Sequence, residues 1–264
     1  MTSQLSAASL SRGVPAAGGF NITALRLEIR RLLRNRRTVI FTMIAPVIFF
    51  LAFGLNSAYA FQKAGHGNVS AFILISMSLY GAVLATTSGG AMVSIERAAG
   101  WSRQLRLTPL TPVAYVALKV CTALVLGLGS VVIVNVVGGI TGKPSMPLHL
   151  WALTALCVWL GSLLFAAFGL FIGYLLPTEN VMQIMGLIMM LLSFAGGLFI
   201  PLSQYPHAFQ VLAKFTPLYG LNELVHAPLL GGSVDGWWLV NLLAWLVIFV
   251  AGAAWRFRRD TARV

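Results

Sequence analysis

The side chains able to do acid–base, nucleophilic or metal chemistry are few in this sequence, and their spacing does not suit that chemistry. The four histidines (His66, His149, His207, His226) stand far apart, so no H-E-x-x-H helix aims two imidazoles at one zinc ion. Nor do they offer a base to a serine nucleophile deep inside an apolar run. The six acidic residues (Glu28, Glu96, Glu179, Glu223, Asp235, Asp260) fall at the ends of predicted helices or in loops. An ion-coupled carrier needs an ionisable site within its spans. An ion-coupled secondary transporter therefore stands as an alternative only through Glu223. An intramembrane lipid-modifying enzyme is a weaker one, with no polar cluster behind it. Cys121 and Cys157 lie in apolar runs, where cysteine packs as a small hydrophobe rather than as a disulfide or metal ligand. A G-x-x-x-x-G-K-[ST] phosphate loop is absent from the sequence, so ATP hydrolysis would need another chain.

One polar stretch is patterned enough to act. It runs Glu96-Arg97-Ala98-Ala99-Gly100-Trp101-Ser102-Arg103-Gln104-Leu105-Arg106-Leu107-Thr108-Pro109-Leu110-Thr111-Pro112. Trp101 and Leu105 are four apart and share a helix face, with Arg103 and Arg106 turned elsewhere. Pro109 and Pro112 stop this helix and start the next one. A basic amphipathic helix of this kind, too polar to cross a bilayer, is a suitable lever for a soluble partner.

The elements around it belong to a membrane. The 264 residues are 58% hydrophobic and 9% charged, well outside the range of soluble domains. The net charge of +12 is segregated: every arginine lies in 12–37, 97–106 or 256–263. Basic loops translocate poorly, so these three stations read as cytoplasmic and both termini as inside; nucleic acid is not the implied partner. Uncharged runs of roughly 20 residues are long enough to cross. They predict six spans at about 38–62, 69–95, 112–141, 148–176, 181–200 and 236–255. Lys119, inside the third, is expected to snorkel to the headgroups. Residues 1–20 read as a disordered cytoplasmic tail, and 21–264 as a single transmembrane domain. Between the last two spans, Pro201, Pro206, Pro217 and Pro228 break the chain into short helices that dip into the outer face and return.

Ahead of the first span, Ile22, Leu25, Ile29, Leu32 and Leu33 recur at helical spacing among Arg26, Arg30, Arg31 and Arg34, which predicts an amphipathic elbow helix on the inner surface. Two stripes are candidate linings for a substrate pathway. Met182, Met185, Met189 and Ser193 recur along the fifth span, and Thr86 and Thr87 lie in a second span rich in Ser, Thr and Gly. Plain packing explains either stripe equally well.

The pattern Glu-Arg-x-x-Gly-x-x-x-x-Leu-(x)3-Pro-Leu-(x)8-Lys, from Glu96 to Lys119, resembles the signature of ABC-2 type permeases, the membrane subunits of bacterial ABC exporters. Gly196-Gly197-Leu198-Phe199-Ile200-Pro201, Tyr205-Pro206 and Phe215-Thr216-Pro217-Leu218-Tyr219 resemble that family's re-entrant outer segment. The resemblance implies an all-α membrane protein of six transmembrane helices with an elbow helix, a cytoplasmic coupling helix and an outer re-entrant segment. It implies a second permease subunit, in a homo- or heterodimer, and a nucleotide-binding ATPase subunit that carries ATP and Mg. On this reading Glu96, Arg97, Gly100, Trp101, Arg103 and Leu105 contact the ATPase, in the bacterial plasma membrane. The expected activity is efflux of a drug, lipid or glycan, as in multidrug resistance.

Overall fold

The computed structural model describes residues 16–56, 58–100, 110–176 and 181–262. Apart from one short β-hairpin, the described elements are helical. Helix α1 (Ile22–Arg34) is capped by the Asn21 carboxamide, which accepts from the Ala24 amide at 2.6 Å. Asn35 then ends α1 and caps α2 (Arg36–Phe49), so the chain turns by 67° between the two helices. After Pro46, which donates no backbone hydrogen bond, α2 widens into a π-turn at Phe50–Gly54 and stops. The first apolar run is therefore helical over 36–54, short of its predicted end at 62. Residues after Gly54 turn back into the antiparallel hairpin of β1 (Lys63–Ala64) and β2 (Gly67–Asn68).

Helix α3 (Val69–Ala98) is the mast of the molecule: 30 residues, at 1.5 Å each, span roughly 45 Å. Small residues bring its neighbours almost to backbone contact. A Cβ on Gly169 would lie 2.2 Å from the Thr87 carbonyl oxygen, and one on Gly90 would lie 2.6 Å from the Ala166 carbonyl oxygen. The Ser/Thr/Gly richness of this helix thus does what its composition predicts, letting other helices approach closely. Around it stand α4 (Pro112–Thr141), α5 (Leu148–Gly161), α6 (Leu163–Leu175) and α7 (Val181–Ala195). Thr111 caps α4, with Pro112 in its first turn, the start that the sequence predicts. Helices α5 and α6 form one span broken only at Ser162.

The broken segment between the last two apolar runs forms α8 (His207–Ala213) and α9 (Tyr219–Leu230), short helices as its prolines require. Helix α9 packs against α3, α5 and the closing helix α10 (Gly236–Ala262). By length and composition α3, α4, α5 with α6, and α10 can each cross a membrane, and α1 with α2 forms a bent fifth candidate. Helix α7 has 15 residues and ends at Ala195 rather than at 200, because Gly197 adopts φ +77° and turns the chain.

The helix ends sort by charge. Arg31, Arg97 and the end of α10 gather at one end of the bundle, where Arg97 lies over the Tyr174 ring and Tyr174 meets Phe257 edge-on at 5.8 Å. Lys63 and Lys143 lie at the other end, beside the hairpin and the α4–α5 loop. This gathering fits the grouping of charges read from the sequence.

Candidate functional site

The arginine end holds a network that unites three helices. Helix α1 contributes Glu28 and Arg31, one turn apart on the face turned toward α4. Helix α3 contributes Glu96 from its last turn, and α4 contributes Tyr115 and Lys119 from its first two turns. Arg31 pairs with Glu28 at 3.7 Å, and Glu28 accepts from the Lys119 ammonium at 3.1 Å. Lys119 and Arg31 both donate to Oε1 of Glu96. Tyr115 donates its hydroxyl to the other oxygen, Oε2, at 2.6 Å. The four charges form a ring of alternating sign, Arg31–Glu28–Lys119–Glu96, and they sum to zero. Glu96 and Lys119 are 6% and 4% exposed, so each is shielded from water and depends on the other for charge compensation. Leaving one such charge alone costs several kcal/mol, so Glu96 and Lys119 stay paired. A water-sized gap lies among these side chains, with Gly89, Met92 and Thr122 completing its wall.

Lys119 therefore does not snorkel. It turns inward because two carboxylates await it there, one of them 91 positions earlier in the chain. Glu96 belongs to α3, which runs two residues past it before Gly100, at φ +73°, ends the helix. Its carboxylate faces the interior of the chain. Arg97 also turns inward, donating to the Tyr174 and Gly173 carbonyls at 3.0 and 3.4 Å at the C-terminal end of α6. Cations are favoured there by the helix dipole and by the unpaired carbonyls. Trp101, Arg103 and Leu105 lie outside the described residues. The two helices that flank their segment, α3 and α4, are held together by the Glu96–Lys119 pair.

Spacing along the sequence did not reveal Glu28, Arg31, Tyr115 and Lys119 as one site. The one available signal was an acid at position 28 amid arginines, facing a lysine buried in an apolar run. The described candidate pathway residues lie inside the chain, and the two stripes touch at Thr87 and Met189. Met185, Met189 and Ser193 are 1% exposed, and Thr86 and Thr87 are fully buried. The Thr87 hydroxyl lies 3.4 Å from the Met189 sulfur and 3.4 Å from the Phe165 carbonyl oxygen. Side-chain contacts of Met182 lie outside the described set. Helix α7 turns Ile184, Leu187, Met190 and Leu191 outward instead.

Elbow helix, mast, ionic ring and broken segment all lie within residues 21–230, and over that range the chain matches the model of the family "ABC-2 type transporter". It is also 27% identical over 239 residues to the Bacillus subtilis (strain 168) protein named "Putative transport permease YvfS", an alignment covering 89% of this chain and 96% of that one. A family match over this length, on a helical bundle of the kind described, settles the class: this chain belongs to the ABC-2 type transporter family, as a transmembrane permease of an ABC transporter.

Proposed function

We propose that this permease serves an exporter, moving a hydrophobic or amphipathic compound such as a drug, lipid or glycan out of the cytoplasm. A separate ATPase subunit binds ATP and Mg, and a second permease subunit completes the membrane unit. The arginine end faces the cytoplasm, in keeping with the basic stations, and the segment from Gly100 to Leu110 reaches the ATPase. One observation supports this reading above the others. The polar segment leaves α3 and enters α4 at two points joined by a buried ion pair, so a push on it moves two spans together. Glu96 and Arg97 then anchor the lever from within, while Trp101, Arg103 and Leu105 form its contact face. Met185, Met189, Ser193, Thr86 and Thr87 act as candidate pathway residues through a surface that opens when α7 shifts from α3, with Met182 at the end of the same stripe.

The test is Trp101→Ala together with Leu105→Ala, in permease co-expressed with an ATPase subunit that co-purifies with the unaltered chain. Losing a buried aromatic anchor costs about 2 kcal/mol, roughly a thirtyfold loss of affinity. Co-purification of the ATPase should weaken accordingly, with insertion of the permease unchanged. Full retention of the ATPase by the double variant would remove the segment from the contact.

A further inference from the structure

The ring divides its charges unequally among its helices. To the ring, helix α1 contributes one acid and one base, Glu28 and Arg31, and the α3–α4 pair contributes the other acid and base, Glu96 and Lys119. If α1 leaves, neither half of the ring is left with a net charge. Glu28 and Arg31 still pair one turn apart, and Glu96 keeps Lys119 and the Tyr115 hydroxyl. The rest of the α1 interface is slight. Leu32 is its one buried residue, packed with Ala85 and Leu126; Ala24, Leu25 and Ile29 are half-buried, while Arg26, Leu27, Arg30, Leu33 and Arg34 are exposed. The 67° turn at Asn35 already separates α1 from α2 as an independent arm.

We infer that α1 is a reversible latch, docked on α3 and α4 by the alternation of four charges and able to leave without stranding any of them. A ring whose charges were split in any other way, two acids on one side and two bases on the other, could not open at low cost, because each half would keep a buried net charge. The docked and released states therefore differ by charge contacts and a small apolar contact centred on Leu32, a gap small enough for a partner to bias. The inference rests on the proposed function only for its role in the transport cycle; the latch itself is a property of this chain.

The experiment uses sign rather than deletion. Exchanging Glu96→Lys with Lys119→Glu keeps the α3–α4 pair intact but sets like charges opposite Arg31 and Glu28. Adding Glu28→Arg and Arg31→Glu restores the alternation with every sign reversed. Docking is read by oxidative cross-linking of Leu32→Cys to Leu126→Cys in full-length permease lacking Cys121 and Cys157. The two-residue exchange should slow cross-linking by about tenfold or more, the weight of one or two charge contacts, and the four-residue exchange should restore it. Equal rates in all three proteins would overturn the latch, as would failure of the four-residue exchange to recover in a monodisperse protein. If the two-residue exchange does not fold, Glu28→Gln with Arg31→Gln decides, since it leaves Glu96 and Lys119 paired: slower cross-linking supports the latch and unchanged cross-linking overturns it. In the permease–ATPase complex, the Leu32–Leu126 disulfide should depress ATP turnover and dithiothreitol should restore it. Unchanged turnover in the locked complex would overturn opening during the cycle. Failure to capture any ATPase would instead count against the proposed function, leaving the cross-linking result to stand.

Discussion

The two ends of this bundle solve the same problem with different chemistry. Both bury polar groups that tie several elements together. At the arginine end the tie is ionic, with four charges and a phenol shared by α1, α3 and α4. At the lysine end it is neutral. The Asn68 carboxamide accepts from the Ala71 and Ser145 amides at 2.9 Å each and donates to the Lys143 carbonyl at 2.8 Å. The His66 amide donates to the Leu229 carbonyl at 2.7 Å, pinning the hairpin to α9. Deeper in, His226 sets its two ring nitrogens against the Asn222 carbonyl at 2.8 Å and the Ser76 hydroxyl at 3.1 Å, bridging α9 to α3. Neutral ties of this kind cannot be parted without leaving backbone groups unsatisfied, so they fix geometry. An ionic ring divided into neutral halves can be parted. The comparison assigns rigidity to one end of the molecule and motion to the other.

The hardest blow to this contrast falls on the ionic end. Glu96→Ala leaves two cations, the buried Lys119 and the partly exposed Arg31, to share the Glu28 carboxylate, and breaking a buried pair costs about 3–5 kcal/mol. We expect a large drop in the thermal unfolding temperature of detergent-purified protein, with much of it recovered when Lys119→Met is added. A double variant no more stable than Glu96→Ala would mean that the pair is not coupled. Next in size is Asn68→Ala, which orphans two amides and a carbonyl at about 1–3 kcal/mol and frays the hairpin. Hydrogen exchange should rise at Ala71, Ser145 and the residues of β1 and β2, while α1 stays as protected as before; a rise at α1 would show that the two ends are not separable. The smallest effect belongs to Arg97→Gln, about 1 kcal/mol, from the loss of a cation on the terminal carbonyls of α6. It should lower the melting temperature slightly and leave Leu32–Leu126 cross-linking unchanged, since Arg97 lies outside the ring.

Much of the architecture was legible because membranes make composition speak. The apolar runs became helices, the proline-broken stretch became α8 and α9, and the small residues of α3 became contact points. Endpoints were less legible. Residues 55–62 are apolar enough to extend a span, yet a π-turn after Pro46 ends the helix at Gly54. Likewise Gly197 shortens α7 by a choice of backbone angle that hydropathy does not register. The site was legible only in fragments. Glu96 and Lys119 stood in one recognisable pattern, but their orientation depends on Glu28 and Arg31, more than 60 positions away, and spacing along the chain carries no trace of that meeting. Lys119 in particular has two physically acceptable homes, the headgroups or a carboxylate pocket, and the packing that sets Glu96 and Glu28 beside it selects the pocket.

The order in which these charges leave the ribosome gives the ring a second meaning. Glu28 and Arg31 emerge together as a self-neutralising pair, so α1 can rest on the membrane surface at no great cost while the rest of the chain is made. Glu96 emerges beside Arg97, which turns to the α6 carbonyls, and its partner in the ring, Lys119, follows 23 residues later. Until Lys119 is made, the ammonium that meets Glu96 inside the bundle is missing, and burying that carboxylate without it is costly. Glu28 and Arg31, though synthesised first, thus find their partners across the ring only once the chain has reached residue 119.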